Sequence, residues 1–267
     1  GTMKLQPFYE NAMDDMAHEF LKHLTGEIPM DYKGIGSFGN SSTTQTKLML
    51  DNDTTTYYTS GIAQKAGDWI GVDLRTIREV SEISILQGRN SIDDVDYFDH
   101  AVLEYSENGN NWKALTGELE KQYVIHWNGD PVKARYVRLK RLESKRTNYA
   151  SVRSFEVNPL HAENLGFKLE TEDRQQALYA FDRNLGTSFV CSESIVFEVE
   201  KGIKSYILLT NRLSTPLKCK QLDAKGNLVS ETILDSPFSK IQLENKNVEK
   251  IRIEGTAEIF EIIAEKE

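Results

Sequence analysis

The chain has 267 residues, of which 39% are hydrophobic and 27% charged, and its net charge is −9. At roughly 100–150 residues per domain that length predicts two domains, each able to hold one apolar core. An acidic chain lacks the clustered Lys and Arg of a phosphate-backbone binder, which argues against nucleic acid as a partner, and no apolar run reaches the ~20 residues of a membrane span.

Gly1-Thr2-Met3 reads as an added leader, so the natural amino terminus is expected upstream. Residues 7–25 carry the one strong helical pattern. Pro7 suits a first turn, and Ala12, Met16, Phe20 and Leu24 fall four apart with Met13, Ala17 and Leu21 beside them. Asp14, Asp15, Glu19 and Lys22 occupy the other side, and Gly26 is a stop. One amphipathic helix cannot bury its own stripe and must pack on a sandwich, on a partner chain or on upstream helices; the last is the favoured reading, with 1–38 as a helical segment left from an upstream helical region. His18-Glu19 lacks the second zinc-helix His, since Lys22 stands there and His23 is one place late.

From about residue 40 the period changes to two. Ile83–Leu86, Ala101–Tyr105 and Tyr136–Lys140 alternate like half-buried strands, with turns at Gly67, Asn108-Gly109, Asn128-Gly129 and Lys225-Gly226. Trp69 and Trp112 are read as core, and His100 and His126 as structural. Trp127 is expected to be partly exposed beside Asn128-Gly129. The basic run 140–146 is read as a solvated strand end. Asn158-Pro159 ends the first sandwich, giving domains 39–159 and 160–267. Cys191 and Cys219 are too few for a disulfide scaffold or a zinc site. Their spacing permits a bridge between neighbouring strands, but two half-buried thiols is the favoured reading.

One pattern occurs twice. Met49-Leu-Asp-Asn-Asp-Thr-Thr-Thr-Tyr-Tyr58 is answered by Ala180-Phe-Asp-Arg-Asn-Leu-Gly-Thr-Ser-Phe189. In the same order 69–74 matches 195–199, 105–112 matches 223–228, 134–139 matches 249–253, and 154–157 matches 259–262. Five collinear matches predict two copies of one β-rich unit. The fold class is therefore mainly β: two antiparallel β-sandwiches preceded by one amphipathic α-helix.

Asp51, Asp53 and Thr56 sit in a segment with neither helix nor strand period. Such oxygen-rich loops suit calcium, which takes about 6–8 oxygens, and Glu156 is the candidate carboxylate from elsewhere. The second copy offers Asp182, Asn184, Thr187 and Glu261, a weaker site because Asn184 replaces a carboxylate beside Arg183. The alternative is a turn capped by its own Asp and Thr side chains, without metal.

Met49–Tyr58, Asp68–Leu74, Leu103–Trp112, Ala134–Leu139 and Ser154–Val157 together resemble the discoidin, or coagulation factor 5/8 type C, domain. Within that family the chain looks most like family 32 carbohydrate-binding modules. Gln87-Gly88-Arg89, Asp96-Tyr97-Phe98 and Leu103–Ser106 are similar to modules at the C-terminus of family 84 β-N-acetylglucosaminidases, the hyaluronidase-like enzymes. The likeness covers 40–158 well and 165–267 weakly. It implies a discoidin-like jelly roll and a structural calcium held by backbone oxygens near Met49 and Asp51 and by the side chains of Asp53, Thr56 and Glu156. Asn52 stands where the family usually has Gly, and Asn tolerates the left-handed turn.

The resemblance places ligand loops at 87–98 and 145–149. Sugar sites pair an aromatic face with planar polar groups. The first loop offers Gln87, Arg89, Asp93, Asp94 and Tyr97, and the second Arg146, Asn148 and Tyr149. Neither has the His and Trp common in the family's galactose sites. Tyr149 has rim packing as its alternative role, and Arg89 a surface salt bridge to Asp93 or Asp94. In the second copy 79 positions separate Asp182 from Glu261, against 105 between Asp51 and Glu156. The missing stretch falls largely in the two loops, so the second copy reads as a spacer without that sugar site.

No triad, P-loop or dinucleotide fingerprint is present, and Asp93, Asp94 and Asp96 sit too close together for two opposed acids. The reading is a non-catalytic part of a larger bacterial glycosidase, secreted, periplasmic or on the cell surface. Its expected partners are glycans bearing terminal GlcNAc, GalNAc or galactose, and upstream catalytic and helical domains of the same polypeptide. The rival is a pair of structural or protein-interaction sandwiches that bind no sugar.

Overall fold

The computed structural model describes residue 16 and residues 32–38, 43–90, 95–244 and 247–266. The chain divides into two compact units between Pro159 and Leu160. Apart from Met16, the helix expected over 7–25 lies outside the described residues. The described chain is mainly β, and its strand pairs are antiparallel.

In the first unit the strands are β1 (Lys33–Gly36), β2 (Tyr58–Thr59), β3 (Trp69–Gln87), β4 (His100–Ser106), β5 (Lys113–Ala114), β6 (Leu119–Glu120), β7 (Val124–Arg141) and β8 (Ser151–Val157), with a short helix α1 (Thr43–Lys47). β3 has 19 residues and β7 has 18, far above the usual five or six. Each serves two layers. Ile70, Val72 and Leu74 point inward from the first half of β3, and Val80, Ile83 and Ile85 from the second. The alternation breaks between them. Arg75 adopts a left-handed φ of 64°, and the β3/β7 register slips between Asp73 and Arg78 and again between Val80 and Glu82. Bulges of this kind let a strand turn a corner from one layer into the next. The first half of β3 pairs with β1 and with the end of β7, which pairs on with β4; the second half pairs with the start of β7 and with β8. Both halves feed one core that includes Met49, Tyr58, Phe98, Leu103 and Phe155.

Trp69 and Trp112 are not in that core. Trp69 precedes the inward Ile70, so the two-residue period turns it outward. Its ring lies 6.4 Å from Trp112, which lies 6.5 Å from Tyr136. The Arg138 guanidinium stacks 3.7 Å above Trp112 and reaches Glu104 at 2.6 Å. The result is an outer-face ladder held by cation–π contact and an ion pair. Trp127 is half-buried and packs against the core.

In the second unit β9 (Leu169–Glu170), β10 (Phe189–Cys191), β11 (Ser194–Glu198), β12 (Ile203–Thr210), β13 (Leu217–Leu222), β14 (Leu228–Leu234), β15 (Phe238–Gln242), β16 (Lys250–Glu254) and β17 (Ala257–Lys266) make two sheets. Their orders are β10-β17-β12-β15 and β14-β13-β16-β11-β9. The first repeats β2-β8-β3-β7, and the second repeats β5-β4-β7-β3-β1. β11 and β12 together stand for β3, and β15 and β16 for β7. A short helix α2 (Arg174–Ala177) is capped by Asp173, whose carboxylate accepts from Gln176 N at 3.0 Å. Phe181, Phe197 and Tyr206 run through the core at ring spacings of 5.4 and 5.2 Å. Cys191 and Cys219 are free and buried, on strands of different sheets, and burial pushes the Cys219 thiol up to about 12.

Candidate functional site

Two kinds of site were expected, a pair of sugar loops and a repeated oxygen loop. The two loops expected to hold sugar close one end of the first unit. Loop 88–99 leads out of β3, and loop 142–150 joins β7 to β8. A third loop, 60–68, between β2 and β3, lies against both. Gln64 N donates to Asn148 O at 2.9 Å, while its side-chain Nε2 donates to Tyr97 O at 2.9 Å and to Tyr149 O at 3.0 Å. Ser60 exchanges two bonds with Ala150: N to O at 2.8 Å, and Ala150 N to Oγ at 3.0 Å.

Several expected contacts face inward. Gln87 is 1% exposed; its Oε1 accepts from Phe98 N at 2.9 Å and its Nε2 donates to Gln122 O at 2.8 Å. Tyr97 is also 1% exposed, edge-on to Tyr123 at 5.6 Å and beneath the Arg146 guanidinium at 4.4 Å. Both support the loop rather than its surface. Gly88 has φ +82°, and a Cβ there would stand 2.0 Å from the Tyr123 hydroxyl, so only glycine lets the loop leave β3 in this direction.

Arg89 pairs with Asp96 at 2.8 Å. Arg146 donates to Val95 O at 2.8 Å and lies 3.6 Å from Asp99. Asn148 and Tyr149 are exposed, Tyr149 at 48%, and Ile62 of the third loop is exposed as well. Asp93 and Asp94 lie outside the described residues. Arg141, expected in a solvated strand end, is 2% exposed and donates to the carbonyls of Ser144 and Arg146 at 3.2 and 2.6 Å. Sequence reading missed Gln64, Ser60 and Arg141 because each acts on backbone atoms, which leave no pattern of residue types.

In the second unit these loops are trimmed. Two residues join β10 to β11 where nine join β2 to β3, six join β12 to β13 where twelve join β3 to β4, and two join β16 to β17 where nine join β7 to β8. The strands are kept and the rim is absent.

The oxygen loop is the same in both units. Thr56 Oγ1 lies 2.8 Å from Asp51 Oδ2 and 3.0 Å from Asp53 O; Thr187 Oγ1 lies 2.7 Å from Asp182 Oδ2 and 2.7 Å from Asn184 O. Asn52 and Arg183 both turn the chain with left-handed φ values of 63° and 59°. The Met49 carbonyl, expected among the ligands, accepts from Phe155 N at 2.9 Å; it is Leu48 O that approaches Thr56 Oγ1, at 3.2 Å. Asp53 likewise turns its carboxylate to Thr55, which holds its pKa below the usual range, and presents its carbonyl instead.

Among the described residues no three His, Cys, Asp or Glu side chains cluster. The fit to a hard cation rests on mixed oxygens. One Thr56 hydroxyl hydrogen cannot serve the three acceptors around it. In the second unit Glu261 is 1% exposed, accepts from the backbone N–H of Arg183 and Asn184, and leaves Oε2 buried without a hydrogen-bond partner. Burial, and then the charge of Asp182, push the Glu261 carboxyl well above its ordinary range; burial pushes Asp182 up to about 7. Two enclosed carboxyl groups with an orphaned oxygen fit a hard cation. Glu156, on β8 next to Phe155, is half-buried.

The profile of the F5/8 type C domain matches residues 35–155. The matched stretch is similar to discoidin-like domains and falls on the antiparallel layers of the first unit. No curated protein matches the chain. Similar solved structures include CpGH89CBM32-5 from Clostridium perfringens in complex with GalNAc-β-1,3-galactose (18% identity, 47% of this chain and 94% of that one, TM-score 0.39). Another is the family 32 module of C. perfringens NanJ in complex with galactose (16%, 48% and 91%, TM-score 0.38). A third is the CBM32-1 and CBM32-2 pair of C. perfringens ZmpB (10%, 89% and 92%, TM-score 0.37).

Proposed function

We propose that the first unit is a non-catalytic carbohydrate-binding module that holds a larger, secreted or surface-bound glycoside hydrolase on its substrate. The F5/8 type C match over 35–155 supports this reading. The observation that carries it is the rim: three loops locked to one another, with Tyr149 left exposed beside Asn148 and the partly exposed Arg89. Tyr149 would take the apolar face of a pyranose, and Asn148 and Arg89 its hydroxyls. Ile62 widens the apolar part of the rim. The ligands are terminal GlcNAc, GalNAc or galactose, and the parent is an enzyme of family 84 β-N-acetylglucosaminidase type, joined through the helical segment at 1–38. The second unit, without the loops, is a spacer of the same fold.

Calcium belongs to the same reading, as a structural ion in each oxygen loop. Leu48 O, Asp51, Asp53 O, Thr56 and Glu156 would hold it in the first unit, and Asp182, Asn184 O, Thr187 and Glu261 in the second. Of the two, the second is the tighter, because Glu261 is sealed from water whereas Glu156 is half-buried. A bound calcium would supply fixed positive charge and tie the loop to the last strand.

One observation favours a second reading, of structural sandwiches that bind no sugar. Gln87 and Tyr97 are buried, and both rim arginines already have carboxylate partners. A glycan array in calcium buffer decides between them. Retention on GlcNAc, GalNAc or galactose structures, lost in Tyr149→Ala at unchanged melting temperature, supports the module; a blank array with folded protein supports the buttress.

A further inference from the structure

We propose that Gln64 is the positioning residue that fixes the two ligand-facing loops against each other; its consequence for ligand binding rests on the carbohydrate-binding reading. Gln64 is 3% exposed, on a loop with no period. Its side-chain amide has two hydrogens on one nitrogen. One goes to the Tyr97 carbonyl at 2.9 Å and the other to the Tyr149 carbonyl at 3.0 Å. These acceptors lie 33 and 85 residues away in sequence, one on each loop. A planar amide fixes direction as well as distance, so it sets the angle between the loops along with the gap. The backbone N–H of Gln64 adds a third bond, to Asn148 O at 2.9 Å.

The amide acts from beneath the rim. Tyr149 is anchored by its carbonyl while its ring faces solvent at 48% exposure. On the other loop the carbonyl of the buried Tyr97 is held, and the Arg146 guanidinium lies over the Tyr97 ring. Gln64 Oε1 is buried and has no hydrogen-bond partner. The buried amide is therefore held through its donors alone, which a carboxylate or a thioether of the same length would lack.

The test uses Gln64→Met, which keeps the length and removes both donors, and Gln64→Asn, which keeps the amide but is one methylene too short to reach both carbonyls. Hydrogen exchange is measured on the whole chain without ligand, and affinity for N-acetylgalactosamine and N-acetylglucosamine by affinity electrophoresis. The expected result is exchange at least about tenfold faster in 96–98 and 148–150 with β3 and β7 amides unchanged, and at least about tenfold weaker sugar binding. A residue that only adds stability would speed the strand amides too, and that pattern overturns the proposal. So does unchanged loop exchange in either folded variant, or loosened loops with wild-type sugar affinity. If the wild type binds neither sugar while the loop-specific exchange appears, the sugar reading falls and the clamp stands.

Discussion

The hydroxyl of Thr187 donates to the carboxylate of Asp182 at 2.7 Å, as Thr56 does to Asp51 at 2.8 Å in the first unit. The loops differ in what lies opposite. Glu261 is sealed inside the second unit, whereas Glu156 is half-buried. From sequence the second loop looked weaker, because Asn184 replaces Asp53. Asp53 turns its carboxylate to Thr55 N, and Asn184 turns its amide oxygen to Gly186 N, both at 2.9 Å. Neither side chain faces the cluster, and Arg183, although exposed, still acts on Glu261 through its charge, which draws that carboxyl down against the effect of burial.

Calcium added to chelator-treated protein is expected to raise the melting temperature of the second unit. At a hundredfold excess over Kd the gain is about 2.7 kcal/mol, or roughly 10–20 °C for a domain of ~100 residues. Glu261→Gln removes the cost of burying this carboxyl, which the apo protein must either protonate or leave charged, so in chelator it melts above wild type and no longer responds to calcium. Calorimetry showing a melting temperature indifferent to both chelator and calcium removes the ion from the account.

The same carboxyl groups set a pH dependence. Their folded pKa values are raised, to about 7 for Asp182, so between ordinary carboxylate values and that point the folded state holds more protons than the unfolded one. Stability in chelator therefore falls as pH rises from about 4 to about 7. Calcium replaces the protons and should flatten or reverse the slope. Thermal melts across that range, with and without calcium, read the sign directly.

Tyr149→Ala is expected to weaken glycan binding at least tenfold, about 1.4 kcal/mol, and to leave the melting temperature within about two degrees. The ring is 48% exposed and its anchor is the backbone carbonyl, which the substitution keeps. Isothermal titration against the glycan selected on the array measures the affinity, and a thermal melt the stability. Unchanged affinity would move the sugar platform away from Tyr149.

Gly88→Ala is expected to destabilise the first unit by about 1–3 kcal/mol and to move the loop after β3. The left-handed backbone is strained for alanine, and the new methyl meets the Tyr123 hydroxyl oxygen at 2.0 Å. Denaturant melts give the first quantity. A change in the near-ultraviolet signal of Tyr97 and Tyr123, whose rings meet edge-on at 5.6 Å, gives the second.

The β character of the described chain was legible because a period of two and a repeated turn pattern survive as residue types. The oxygen loop was legible for the same reason: Asp, a gap of four and Thr recur with the same bonds. Faces were harder. Trp69 and Trp112 look like core in any strand reading, and only the inward Ile70 and the stacked Arg138 put them outside. Gln87 and Tyr97 have the composition of ligand contacts, yet both are buried by residues distant in sequence. Gln122 closes over Gln87, and Tyr123 and Arg146 close over Tyr97. Gln64 and Arg141 were invisible, since a side chain that serves carbonyls answers to no particular residue at the other end.

β3 and β7 pass unbroken through both layers of the first unit, while the second unit divides the same paths between β11 and β12 and between β15 and β16. Force applied to one layer of the first unit thus reaches the other along two continuous strands, without passing through side-chain packing. In the second unit it must cross two joints between separate strands. If the first unit holds a glycan as proposed, a load on the rim enters the unit whose layers share two continuous strands.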